Sequence, residues 1–229
     1  MSRILVVTAV APERDAVLDG RDVAIGAIDG IEVHRAVTGA GLVDVIAGGV
    51  GPIAAALSTA AALKHGYDLV IATGIAGGFP QIEIGAVAVA SAVVHADLGA
   101  DTPDGFASMA DLGWGAVRFN LDPALTGELC LRTKGISGSV LTVSTVTGDT
   151  RRALALRSRY PDAVAEAMEG VGVYRAATAA RVPFAELRTI SNQVGPRNTD
   201  QWQIGTALAS LTVAFDALLF QPVTSGVRT

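Results

Sequence analysis

Glu13, Glu169, Arg188 and Asn192 are the polar side chains best placed for chemistry, because each sits in or beside an otherwise apolar stretch. Glu169 follows Met168 and lies about one helical turn after Glu166 in an Ala-rich segment. Two readings stand. It belongs to a solvated helix face carrying two glutamates, or it turns into a pocket, where one carboxylate can accept hydrogen bonds from two vicinal hydroxyls. Arg188 has a matching pair of readings: a surface cation, or a donor at the carboxyl end of a central strand, where α/β proteins build their sites. Asn192 either caps a turn ahead of Gly195-Pro196 or offers a ligand an amide that both donates and accepts. Glycine-rich stretches at 48–51 and 74–78 follow apolar runs, where bare backbone can approach a ligand. Neither has Walker or dinucleotide spacing, and each alone reads as a tight strand-to-helix turn. His34, His65 and His95 have no metal-like spacing, and no metal or cofactor is expected.

The elements that must hold these groups follow from pattern. Residues 3–10 read as a fully buried strand. Pro12 then opens a helix with Glu13 and Asp15 in its favourable first turn. Residues 24–28 and 31–36 flank Asp29-Gly30, a strong hairpin signal. A strand over 44–47 turns at 48–52 into an Ala-rich helix over 53–64. Strands are expected over 68–72, ending in a turn at 73–78, and over 86–94, 140–144 and 184–190. Residues 99–116 read as an irregular excursion, 166–181 and 205–219 as helices, and the residues after Pro222 as frayed. Alternating strands and helices favour an α/β sheet covered on both faces.

Half of the 229 residues are hydrophobic and 17% are charged, so a large core is easy to build within one domain, residues 1–229, with 221–229 as its tail. A net charge of −5 argues against nucleic acid or an anionic membrane as partner. The single cysteine, Cys130, excludes an intrachain disulfide and suits a reducing cytoplasm. The N-terminus lacks the pattern of a signal peptide, and the apolar run 53–63 is too short for a bilayer. A soluble cytoplasmic protein is expected.

Residues 6–10 with Glu13, 72–78, 143–149, Ala167-Met168-Glu169 and 188–192 occur in the order and rough spacing of the methylthioadenosine/adenosylhomocysteine nucleosidases. The chain thus resembles the purine nucleosidase/phosphorylase superfamily over nearly its whole length. Within it, residues 8–14 and 190–197 are most similar to the futalosine hydrolases, of an alternative menaquinone pathway. The resemblance implies a three-layer α/β sandwich, a twisted mixed central sheet flanked by helices, working as a homodimer or larger homo-oligomer on a small-molecule nucleoside. It implies that Glu13 polarises the attacking water, that Arg188 stands beside that water, and that Met168 and Glu169 hold the ribose, Glu169 through its 2′- and 3′-hydroxyls. Gly74, Ile75, Ala76 and Gly77 line the substrate, and Trp202 packs on the purine or the 5′ group. Asn192 faces N7 of the base. Arg197 is the candidate donor for the benzoate at the 5′ arm of futalosine.

The departures matter too. Adenine-selective relatives usually carry Asp where Asn192 stands. A protonated Asp suits the amine of adenine, whereas an amide can donate to O6 of hypoxanthine and accept from N7–H. A mismatched buried pair costs roughly 1–3 kcal/mol. Phosphorylases carry an arginine just before the equivalent of Gly74, where this chain has Ala72 and Thr73. Ile75 replaces a residue that is often polar, and Arg151 and Arg152 stand where apolar base contacts would lie. A 6-oxopurine nucleoside hydrolase is therefore expected. The alternatives are a methylthioadenosine/adenosylhomocysteine nucleosidase, an inosine-type phosphorylase and, outside enzymes, a nucleoside-binding protein.

Overall fold

Runs of Val, Ile, Leu and Ala without polar alternation suit strands buried on both faces, and here they form the middle of the sheet. The computed structural model describes residues 2–220. In it β1 (Arg3–Thr8) lies parallel between β4 (Gly41–Ala47) and β5 (Leu69–Gly78). The hairpin β2 (Ala24–Ile28) and β3 (Ile31–Thr38) extends the β4 edge antiparallel. On the other side, β12 (Phe184–Gln193) is parallel to β5, and β6 (Val87–His95) antiparallel to β12. Then β10 (Ile136–Thr142) and β11 (Ala163–Ala167) follow in parallel. Short β9 (Arg118–Asn120) pairs with β6.

The sheet does not end at β11. Ala165 and Glu166 pair antiparallel with Gly78 and Gly77 at the far end of β5. So β5, β12, β6, β10 and β11 curl into a closed ring, and β1, β4, β3 and β2 leave it as an open, twisted wing. Helices cover both faces, as expected of the sandwich. α2 (Pro52–Leu63) and α5 (Gly170–Ala179) pack on one core. α1 (Ala11–Val17), α3 (Pro123–Thr133) and α6 (Ile204–Phe215) pack on the other. α4 (Thr150–Arg159) closes a smaller cluster with Phe79, Leu141 and Tyr160.

Three local expectations are corrected. Residues 74–78 are not a turn; they continue β5 as its pairing with β12 and β11 supplies their backbone partners. Residues 166–181 are not one helix. Ala163–Ala167 is a strand buried on every residue, and the helix starts only at Gly170. Alanine favours helix locally, but pairing on both edges overrides a preference worth tenths of a kcal/mol per residue. The excursion at 99–116 contains a hairpin, β7 (Gly99–Thr102) and β8 (Gly105–Ser108). Two helices also escape the pattern reading, although their caps stand in the sequence. Asp122 accepts from Ala124 and Leu125 N–H ahead of α3, and Asp149 accepts from Arg152 N–H ahead of α4. The frayed tail expected over 221–229 lies outside the described residues. Among the described residues, no helix is long and apolar enough to cross a membrane.

Candidate active site

The carboxyl ends of β1, β5 and β12 meet at one cleft, and α1 carries Glu13 into it. Pro12 in the first turn of α1 fixes the helix start, so Glu13 folds back over the strand it has just left. Its Oε2 accepts from the Ala9 and Val10 amides at 2.9 and 3.3 Å, and its Oε1 from the Ile75 amide at 2.9 Å. A carboxylate has about four lone-pair directions, so one remains for a further donor. Glu13 is only 4% exposed. Burial pushes its carboxyl above the usual range, against the pull of Arg188 and of the amides. Gly74 explains how it fits. Its φ is +141°, and a Cβ there would stand 2.4 Å from Glu13 Oε1.

Glu169 sits between β11 and α5. Its Oε1 accepts from the Gly51 amide at 3.1 Å, and its Oε2 from Met168 N–H at 3.3 Å and Arg188 Nη1 at 3.2 Å. With three directions taken, holding two vicinal hydroxyls displaces one of these contacts; the amide of Gly51, next to the exposed Val50, can yield most easily. Arg188 is 1% exposed in the interior of β12. Its Nε donates to Glu186 Oε1 at 2.9 Å, and Nη2 has no hydrogen-bond partner among the described residues. Glu186 is fully buried, which raises its carboxyl despite the guanidinium beside it. Three carboxylates thus surround one cation.

The far side is organised by Gly77, whose register partners are Asn192 on β12 and Glu166 on β11. A register shift between Ile190 and Asn192 re-aims the end of β12 at this point. Asn192 Nδ2 donates to Gln193 O at 3.0 Å, which sets the amide's orientation, and Oδ1 accepts from Ser191 Oγ at 2.8 Å. One donor and one acceptor direction remain. Glu166 accepts from the Thr147 amide at 2.8 Å and the Thr147 hydroxyl at 2.5 Å. Burial raises its carboxyl too.

Together these residues bound a cleft of about 240 Å³, lined also by Val10, Val50, Ile75, Ala76, Val146, Met168, Val194 and Trp202. Glu13, Glu166 and Glu169 line it, and no cation does among the described residues. Several expectations need correction. Gly74 does not line the cleft; it clears space for Glu13 behind it. Arg188 does not line it either, because it is spent bracing Glu169 and Glu186 beneath the floor. Arg197 is exposed and stacks on Trp202, its guanidinium carbon 5.0 Å from the ring centre, at the rim. Arg151 and Arg152 do not replace base contacts. They turn to a neighbouring cavity of about 570 Å³ shared with Asp97, Asp101, Phe106 and Arg159, where acids and bases face one another. Glu166, Thr147 and Glu186 were not read as site residues. Glu166 was visible beside Glu169, but a helical reading of the segment turned it outward.

A family model, the phosphorylase superfamily, matches residues 3–219. The futalosine hydrolase of Streptomyces coelicolor is 49% identical over 228 residues, covering 94% of each chain. That of Thermus thermophilus is 38% identical over 75% of this chain and 78% of its own. Among solved structures, the 5′-methylthioadenosine/S-adenosylhomocysteine nucleosidase of Neisseria meningitidis, in complex with methylthio-immucillin-A, superposes with a TM-score of 0.82 at 18% identity, covering 95% of this chain and 99% of that one. The native futalosine hydrolase of Helicobacter pylori superposes with a TM-score of 0.79 at 20% identity, covering 95% of each.

Proposed function

The chain belongs to the phosphorylase superfamily and, within it, to the futalosine hydrolase family, and from that membership we propose that its cleft hydrolyses the N-glycosidic bond of futalosine, releasing hypoxanthine. The observation that carries this reading over phosphorolysis is the cleft's charge: Glu13, Glu166 and Glu169 line it, with no cation among the described residues. A phosphate dianion would meet carboxylates, whereas water meets a fixed base.

Breaking the bond leaves positive charge on the sugar and sends the electron pair to the purine. Glu13 takes a proton from the attacking water through its free lone-pair direction, and its charge favours the cationic sugar. Glu169 holds the ribose hydroxyls beside Met168. Arg188, beneath the floor of the cleft, positions Glu169. Asn192 donates to O6 and accepts from N7–H; N7 takes its proton from a water that is reprotonated by Glu13, so the attacking water's two hydrogens end on the base and on the sugar hydroxyl. Trp202 covers the substrate, and Arg197 stacked on it is the cation available to the 5′ benzoate. We place the enzyme in the cytoplasm, in menaquinone biosynthesis. The exposed Val50, Ile53 and Leu57 beside the cleft support a homodimer or larger homo-oligomer.

Incubation with futalosine in phosphate-free buffer is expected to yield hypoxanthine and a free sugar, at a rate that added phosphate does not raise. Strict phosphate dependence with formation of a sugar 1-phosphate would overturn the hydrolase reading.

Asn192→Asp tests the base. The new carboxyl would place an oxygen where Nδ2 now lies, 3.0 Å from Gln193 O. Two facing acceptors repel, so the Asp keeps a proton more readily than an exposed one. The relative kcat/KM for adenine over hypoxanthine nucleosides is then expected to rise by about one to two decades. An unchanged ratio would show that Asn192 does not read the base.

A further inference from the structure

Glu166 is a buried acid lining the cleft that the mechanism above does not use. Its place is set by the closure of the ring, which brings β11 against β5 opposite the point where β12 delivers Asn192. Register partners project to the same side of a sheet, so Glu166 and Asn192 flank the bare backbone of Gly77 like two arms. Both line the cleft. In a purine, O6 lies between N7 and N1. An occupant that presents O6 and N7 to Asn192 therefore turns N1 toward Glu166.

We infer that Glu166 is the acceptor for N1–H of a 6-oxopurine, so that the base is read from both sides of Gly77. The inference rests on the 6-oxopurine reading above. A backbone amide can only donate, so Thr147 N–H holds Oε1 as an acceptor, and the Thr147 hydroxyl holds Oε2. Two of about four lone-pair directions remain, one on each oxygen. Burial works most against the charged form of Glu166, the two Thr147 hydrogen bonds and Arg152 favour it, and Asp97 opposes it. Hypoxanthine carries a proton at N1 and completes the site. Adenine carries a lone pair there and sets an acceptor against a buried carboxylate, which a site of this kind rejects strongly. Glu166 thus separates oxo from amino purines by repulsion as well as attraction.

Titration calorimetry with hypoxanthine, 1-methylhypoxanthine and adenine tests this, on the wild type, Glu166→Gln and Thr147→Val, with thermal melts to verify folding. The wild type is expected to bind hypoxanthine tightest. Glu166→Gln, whose amide can donate to adenine N1, is expected to shrink the preference for hypoxanthine over adenine by roughly 10–10²-fold. Thr147→Val, which keeps the carboxylate, is expected to shrink it less. If Glu166→Gln does not fold, the wild type decides, since 1-methylhypoxanthine lacks the N1–H and is expected to bind roughly 10–10²-fold more weakly than hypoxanthine. Equal affinity would overturn the inference. Equal weakening of all three bases would make Glu166 a tether for the 145–148 loop and overturn the inference, as would no change. Futalosine turnover by the wild type tests the underlying reading separately. A wild type that turns over futalosine while Glu166→Gln keeps full discrimination overturns the Glu166 assignment alone; one that prefers adenine overturns both.

Discussion

Glu13→Gln is expected to leave futalosine binding near that of the wild type while turnover falls by roughly 10²–10⁴, the reach of a positioned general base. The substitution is nearly isosteric, but it is not silent in the fold. Glu13 accepts from three amides, and an amide oxygen can keep only the pair from Ala9 and Val10. The new NH₂ would face Ile75 N–H, a donor against a donor, costing about 1–3 kcal/mol. Single-turnover rates and a thermal melt separate the two effects. Turnover within a factor of a few of the wild type would show that Glu13 is not the base. The pH profile adds a signature. Because burial raises this carboxyl, the wild-type rate is expected to fall, on acidification, at a pH above the ordinary glutamate value, as the base takes up a proton. The mutant lacks that limb. The effect on stability runs the other way. The unfolded chain gives up this proton first, so the group's contribution is full below the ordinary value and is lost as pH rises through the raised one.

Gly74→Ala is expected to cost nearly as much activity from a residue that touches no substrate. The added methyl would stand 2.4 Å from Glu13 Oε1 and 2.7 Å from its carboxyl carbon, at a φ of +141° that L residues rarely adopt. Strained backbone of this kind costs about 1–3 kcal/mol. The displaced carboxylate no longer aligns with water, so turnover should fall by roughly 10²–10³. The double mutant with Glu13→Gln should be scarcely slower than either single mutant, since both remove one function. Additive losses, or full activity in Gly74→Ala, would show that the carboxylate does not depend on this clearance.

What the sequence made legible was local. Asp29 and Gly30 both adopt positive φ, as a two-residue hairpin turn demands, and β2 and β3 pair about them. Pro12 marked the start of α1 and hence the place of Glu13. Glu166 was lost because its strand is alanine-rich and draws its backbone partners from Gly77 and Leu141, each far along the chain. No window of neighbouring residues records such a pairing. Arg188 stood in a strand interior where arginine is rarely fully buried, and the sequence could place it on the surface or in the cleft. It lies beneath the cleft, because the carboxylates that neutralise it come from β12 itself and from the turn before α5.

The closure of β11 onto β5 makes the base end of the cleft a gauge of fixed width. Neighbouring strands stay about 4.8 Å apart as long as their ladders hold, so Asn192 and Glu166, two strands apart across Gly77, cannot spread or approach without breaking the ring. An occupant too large for that gap cannot force it open. On the proposed reading, breathing must then fall to the turns that bear Val50 and Trp202, at 48–51 and 196–203, and the pace of substrate entry and product departure is expected to be set there.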